Sequence, residues 1–208
     1  MPEGKARKPF LVGLTGSIGM GKTETARLFA RLGIPVHDSD ETVHALYEKG
    51  GGAVEPIAAA FPRTVKDGCV DRAALAARVS GDEAAFQRLE SIVHPLVRKA
   101  RQDFLKSAEK RGDALVVVDI PLLFETGEDR SMDAVIVVSA PPAVQRNRVL
   151  ARPGMTLEKL EAIRARQIPD AEKRAKADFV IETDKGLGHA FEAVKRIIAE
   201  LRERADRR

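Results

Sequence analysis

Phe10-Leu11-Val12-Gly13-Leu14-Thr15-Gly16-Ser17-Ile18-Gly19-Met20-Gly21-Lys22-Thr23 joins an apolar, strand-like run to a glycine-rich turn that ends in Lys-Thr. Gly16, Gly21, Lys22 and Thr23 satisfy G-x-x-x-x-G-K-[ST], in which backbone N–H groups surround nucleotide phosphates, the lysine reaches the β- and γ-phosphates and the hydroxyl holds Mg²⁺. Glycine is required where a side chain would block both the backbone angles and the approach of phosphate oxygens. Glu24 to Leu32 then sets Ala26, Phe29, Ala30 and Leu32 at helical spacing, so the turn lies between strand and helix as the motif demands. Gly16, Ser17, Ile18, Gly19, Met20, Gly21, Lys22 and Thr23 are therefore read as the residues that bind the phosphates of a nucleotide, with Thr23 also on Mg²⁺. A turn that merely connects strand to helix is the bland alternative. A dinucleotide fold is the nearer one, but the spacing here is G-x-x-G-x-G and that fold would leave Lys22-Thr23 without a task.

Downstream, Gly33 reads as a helix stop and Ile34-Pro35-Val36-His37 as a second strand leading into Asp38-Ser39-Asp40. A ten-residue helix rises about 15 Å and returns the chain to the start of a parallel strand, so both strands end at one sheet edge. Ligands bind at that edge in open α/β folds, and Asp38 and Asp40 are expected to face the phosphate loop. Either acid can take a proton from a hydroxyl; second-shell Mg²⁺ binding and a cap for a helix starting at Glu41 are the alternatives. Residues 41–112 read as helical and polar, too long for a single crossover, and hence as an insert that carries a second substrate. Within it, Ile92 to Lys110 is expected to be a long helix entered at His94-Pro95.

Ala114-Leu115-Val116-Val117-Val118-Asp119 and Asp133-Ala134-Val135-Ile136-Val137-Val138 read as central parallel strands buried on both faces. Asp119 ends the first, either as a second Mg²⁺ ligand or as an ordinary acid in a turn. Arg146, Arg148 and Arg152 precede Pro153-Gly154, where they could form a lid that neutralises a transferred phosphoryl group or a solvated basic face. Ala177-Asp178-Phe179-Val180-Ile181 is the last strand, followed by an amphipathic helix through Leu201.

The chain of 208 residues is 44% hydrophobic, enough for one sizeable core with a smaller subdomain. Thirty-five Lys and Arg against 31 Asp and Glu suit a polyanionic ligand without demanding nucleic acid, and 4% aromatic residues with no Trp argue against base stacking. Cys69 is the only cysteine, so neither a disulfide within the chain nor a thiol zinc site is expected. No apolar run approaches a membrane span and Met1 to Lys8 lacks a signal-peptide core, so a cytoplasmic protein without membrane contact is expected.

The ordered set of Gly16 to Thr23, Asp38-Ser39-Asp40, Asp67-Gly68 with Asp71-Arg72, His94-Pro95-Leu96, Pro121-Leu122-Leu123-Phe124-Glu125, Arg148, Arg152, Gln167 and Ala177 to Ile181 resembles the dephospho-coenzyme A kinase family across nearly the whole chain. The resemblance implies a P-loop NTPase-type three-layer α/β sandwich, with a mostly parallel five-stranded sheet, core segments 1–40 and 113–208, an acceptor-binding insert 41–112 and a lid at about 146–166. It implies ATP and Mg²⁺ as co-substrate and cofactor and dephospho-coenzyme A as the small-molecule partner; the sequence does not reveal the oligomeric state, a monomer being favoured. Asp40 would orient or deprotonate the ribose hydroxyl, Lys22 and Arg148 would steady the migrating phosphoryl, and Arg152 would bind ATP. Asp38, Arg72, His94, Pro121, Leu122 and Glu125 would contact the acceptor, His94 alternatively marking only a helix entrance. The family's D-A-D is Asp38-Ser39-Asp40 here, and its common asparagine near adenine is Thr183. A kinase for another small hydroxyl, a nucleotide-dependent protein switch and a nucleic-acid ATPase are the competing readings.

Overall fold

The computed structural model describes residues 7–208; the reading of the extreme N-terminus as free of a signal core lies largely outside them. Five strands, β1 (Phe10–Thr15), β2 (Val36–Asp38), β5 (Leu115–Asp119), β6 (Ala134–Ser139) and β7 (Phe179–Glu182), form one sheet in the order β2-β5-β1-β6-β7. The pairs of β1 with β5, β1 with β6 and β6 with β7 are parallel, and Leu14 lies opposite Asp119 while Thr15 lies opposite Val137. Thr15, Asp119 and Ser139 thus end at one edge. β5 and β6 are buried at every position, as expected of unbroken Leu, Val and Ile runs with helices on both faces.

Two compact units divide the chain: Met1–His37 with Ser107–Arg208, and Asp38–Lys106. In the first, α1 (Lys22–Arg31) and α9 (Leu187–Asp206) cover one sheet face, packing Phe29, Val194, Ile198 and Leu201 against Val12, Leu14, Val117 and Ile136. The other face buries Val118, Val135 and Val137 under Leu123 and Phe124, with Ile168 and Ala177 at its margin. This is the three-layer sandwich expected from the sequence. α6 (Pro142–Leu150), α7 (Leu157–Arg164) and α8 (Asp170–Lys176) connect β6 to β7.

The second unit has its own core around Ile57, Phe61, Leu75 and Val93, built by α2 (Ser39–Tyr47), α3 (Val54–Ala60), α4 (Arg72–Val79) and most of α5 (Glu83–Arg111). It departs from the sequence expectation twice. A two-stranded hairpin of β3 (Val65–Lys66) and β4 (Cys69–Val70) turns at Asp67-Gly68, both with positive φ, 53° and 83°, as a two-residue hairpin requires. α5 also runs through His94-Pro95 instead of starting there. Pro95 forgoes one hydrogen bond to the preceding turn, and the apolar spacing of Leu89, Val93, Leu96 and Val97 against the unit's core carries the helix past it.

At the edge where β1 becomes the glycine turn, a Cβ on Gly16 would stand 2.4 Å from Val138 Cγ2 and 2.8 Å from Val138 O. Gly16 is therefore fixed by packing against β6 as well as by any ligand. Gly16→Ala is expected to destabilise the protein by about 2 kcal/mol through overpacking, lowering the thermal midpoint by about 4–8 °C for a chain of this size. An unchanged midpoint in a thermal melt would show that the strand end yields.

Candidate active site

The turn after β1 delivers Lys22 and Thr23 to the first turn of α1, whose N-cap is Gly21 in the left-handed region, φ 88°. The orphan N–H groups and positive dipole end of α1 gather there, an anion site before any side chain is counted. Lys22 Nζ pairs with the buried carboxylate of Asp119, at the end of the adjacent β5. The sequence placed these two residues independently; the register of β1 against β5 brings them together.

The loop is held from outside by side chains. Gln145 Nε2 on α6 donates to Ile18 O at 2.8 Å, and Gln167 Oε1 accepts from Ile18 N–H at 3.2 Å. Thr183, just after β7, donates its hydroxyl to Met20 O at 2.8 Å. Arg148 donates from Nη1 to Thr183 Oγ1 at 2.9 Å and from Nη2 to Thr183 O at 2.8 Å, with Nη1 also 3.5 Å from Gly19 O. Beside this network a cavity of about 400 Å³ is lined by Gly19, Gly21, Arg148, Arg152, Thr183 and Leu187 among others. A second, of about 360 Å³, is lined by Ser17, Met20, Gln145, Arg164, Gln167 and Asp170 among others.

Asp38 caps α2, its Oδ1 accepting from the N–H groups of Asp40 at 2.8 Å and Glu41 at 3.0 Å. The helix starts at Ser39, two residues earlier than expected, so Asp40 sits exposed in the first turn with its carboxylate outside the cap. Arg72, exposed on α4, lies over the Tyr47 ring at 5.7 Å, and burial raises the Tyr47 phenol above its ordinary range although Arg72 opposes this. His94 is exposed in the middle of α5, 3.7 Å from Glu90. Pro121 and Leu122 follow β5 in the first unit, Leu122 exposed. Asp38, Asp40, Arg72 and His94 belong to the second unit. Gln145 and Lys173 were missed by sequence reading; no local pattern marks either.

A family model described as dephospho-CoA kinase matches residues 10–189. A dephospho-CoA kinase of Mesorhizobium japonicum is 59% identical over 92% of this chain and 96% of its own length. The chain belongs to the dephospho-CoA kinase family. A second family relative, from Brucella melitensis, is 53% identical over 92% of both chains. Among solved structures, a Thermus thermophilus protein superposes with a TM-score of 0.80 at 36% identity, covering 94% of this chain and 99% of that one. A dephospho-CoA kinase from Campylobacter jejuni gives 0.64 at 24% identity, covering 94% and 98%. A shikimate kinase from Bacteroides thetaiotaomicron gives 0.52 at 16%, covering 92% and 97%; these last two speak for the fold alone.

In this member of the dephospho-CoA kinase family Glu125 has an internal partner. Its Oε1 lies 2.8 Å from Nζ of Lys173, which is wholly buried, and accepts from Ile168 N–H at 2.8 Å. Burial works against the ionised Glu125, but Lys173 and the Ile168 amide outweigh it and hold the carboxyl below the usual glutamate range. A depressed carboxyl stabilises the fold above its ordinary pKa, and that stabilisation is lost as pH falls through the ordinary value toward the folded one. Glu125→Gln leaves the Lys173 ammonium buried without a counter-charge. We expect about 3 kcal/mol of destabilisation at pH 7 in denaturant melts, with the gap to wild type narrowing as pH falls from 7 to 3. A gap independent of pH would refute the charge argument.

Proposed function

We propose that this chain transfers the γ-phosphoryl group of ATP to the ribose 3′-hydroxyl of dephospho-coenzyme A. One observation carries the reading: the family match over residues 10–189 encloses the whole phosphate loop and the acid pair that follows it. Phosphoryl transfer needs held phosphates, cations over the migrating group and an acceptor hydroxyl in line, with little covalent work by the protein. The loop from Gly16 to Thr23 holds the phosphates, Lys22 reaches the β- and γ-oxygens, and Arg148 and Arg152 add positive charge. The cavity beside Thr183 and Leu187 takes the nucleoside end of ATP, where Leu187, 63% exposed, offers a face for a flat base.

Mg²⁺ takes oxygen ligands and keeps several waters, so a hydroxyl and one carboxylate suffice beside phosphate oxygens. The exposed Thr23 and the Asp119 carboxylate beside Lys22 fit that requirement, and no group of three metal-binding side chains exists among the described residues to compete with them. Thr23 and Asp119 would hold the ion, which when bound neutralises charge between the phosphates. Lys22 then exchanges its carboxylate partner for phosphate oxygens.

On the acceptor side, Asp40 is the base. Asp38 spends an oxygen on capping α2, whereas the Asp40 carboxylate has no part in that cap. Arg72 and His94 present donors from the second unit, and Asp38, Pro121 and Leu122 contact the acceptor in the same reading. Glu125 acts through the segment it anchors. No helix among the described residues is long and apolar enough to cross a membrane.

Purified protein offered ATP, Mg²⁺ and a panel of hydroxyl acceptors should add one phosphate to dephospho-coenzyme A, identified by mass. Turnover of another nucleoside or sugar in its place would reject the reading. Asp40→Asn is expected to lower kcat by about 10² while leaving the affinity for a non-hydrolysable ATP analogue within about twofold. An unchanged kcat would move the base elsewhere.

A further inference from the structure

A trans peptide is planar, so a captured carbonyl oxygen aims the N–H of the next residue to the opposite side. None of the described peptides is cis. Gln145 captures Ile18 O, which turns the Gly19 N–H away from α6, and Thr183 captures Met20 O, which turns the Gly21 N–H away from the end of β7. Neither N–H donates to a backbone carbonyl in the described turns, whereas the intervening Met20 N–H closes the turn onto Ser17 O at 3.1 Å.

We infer that Gln145 and Thr183 are positioning residues of the phosphate loop: they hold the Ile18 and Met20 carbonyls so that the Gly19 and Gly21 N–H groups point into the cradle. Thr183 carries the larger share, because the same hydroxyl accepts from Arg148 and so fixes a cation against the loop. A Cβ on Gly21 would meet the Thr183 side chain at 3.1–3.2 Å, so the two are already in close register. In this geometry the Thr183 hydroxyl faces the loop backbone, with its hydrogen on Met20 O and a lone pair on Arg148. Reading of adenine by that hydroxyl is not required. The inference rests on the reading of residues 16–23 as a phosphate site, and needs neither the identity of the acceptor nor the base.

The test uses the full chain and two probes: ADP, and inorganic tripolyphosphate, which has no nucleoside. Dissociation constants are measured by calorimetry for wild type, Thr183→Val and Thr183→Ser. Valine keeps the shape and removes the hydroxyl, leaving Met20 O unheld; both probes should bind about tenfold more weakly, the scale of one lost hydrogen bond at a partly buried site. Serine restores the hydroxyl and should return both affinities to within about threefold of wild type. Because the valine substitution could loosen the fold itself, Gln145→Met supplies an independent arm and should weaken tripolyphosphate in the same direction. Thermal melts without ligand identify folded variants. Unchanged tripolyphosphate binding in folded Thr183→Val, weakening of ADP alone, or equal weakening by valine and serine would each overturn the inference. Failure of wild type to bind tripolyphosphate would overturn the phosphate-site reading beneath it, a result distinct from failure of the acceptor assay.

Discussion

A backbone that gathers its N–H groups on one side must place its carbonyl oxygens on the other, and in a half-buried loop those oxygens need donors. The segment between β1 and α1 meets this constraint with side chains drawn from distant parts of the first unit. Gln145 comes from α6 to Ile18 O, Thr183 from the end of β7 to Met20 O, and Arg148 from the last turn of α6 to Gly19 O. The sheet order that puts β6 next to β1 and β7 on the far side of β6 is thus the reason such donors stand near the loop at all. Fold and site are one arrangement: the same parallel register that buries Val137 and Ile136 against β1 delivers the donors to the cradle.

Charge inside the first unit is handled by pairing. Lys22 meets Asp119 at the sheet edge, and Lys173 meets Glu125 under the loop after β5. These pairs differ in kind. Lys22 keeps some exposure and its reach can be redirected to a phosphate, whereas Lys173 is sealed and its partner also holds the Ile168 amide. The first pair is suited to exchange and the second to permanence. The contrast lies in exposure: 14% of the Lys22 side chain is reachable from solvent and none of Lys173.

The sandwich was legible because its signals are local: unbroken β-branched runs at 116–118 and 135–138, helical spacing after Thr23, and a glycine stop at Gly33. The glycine turn between strand and helix was legible for the same reason, its motif residues Gly16, Gly21, Lys22 and Thr23 lying within eight positions. The hairpin at Asp67-Gly68 was not, since two-residue strands give no alternation to read. Nor was the passage of α5 through Pro95, where tertiary packing overrode a residue that usually marks a helix start. The partners of Glu125, the capture of Met20 O by Thr183 and the capping of α2 by Asp38 depend on contacts that spacing does not encode; Thr183 and Met20 are 163 residues apart. Thr183 was visible as a departure from the family's asparagine, but what it touches was not.

The segment between α6 and α8 is fastened to the phosphate loop at both ends, by Arg148 through Thr183 and Gly19 O at one end and by Gln167 on the Ile18 amide at the other. Between these ties α7 buries little beyond Leu160. The arrangement is a hoop pinned at two neighbouring points. Thermodynamic linkage makes such a hoop and its anchor report on each other: an anion that stiffens the loop stiffens both pins, and order imposed on α7 returns to the loop as affinity for the anion.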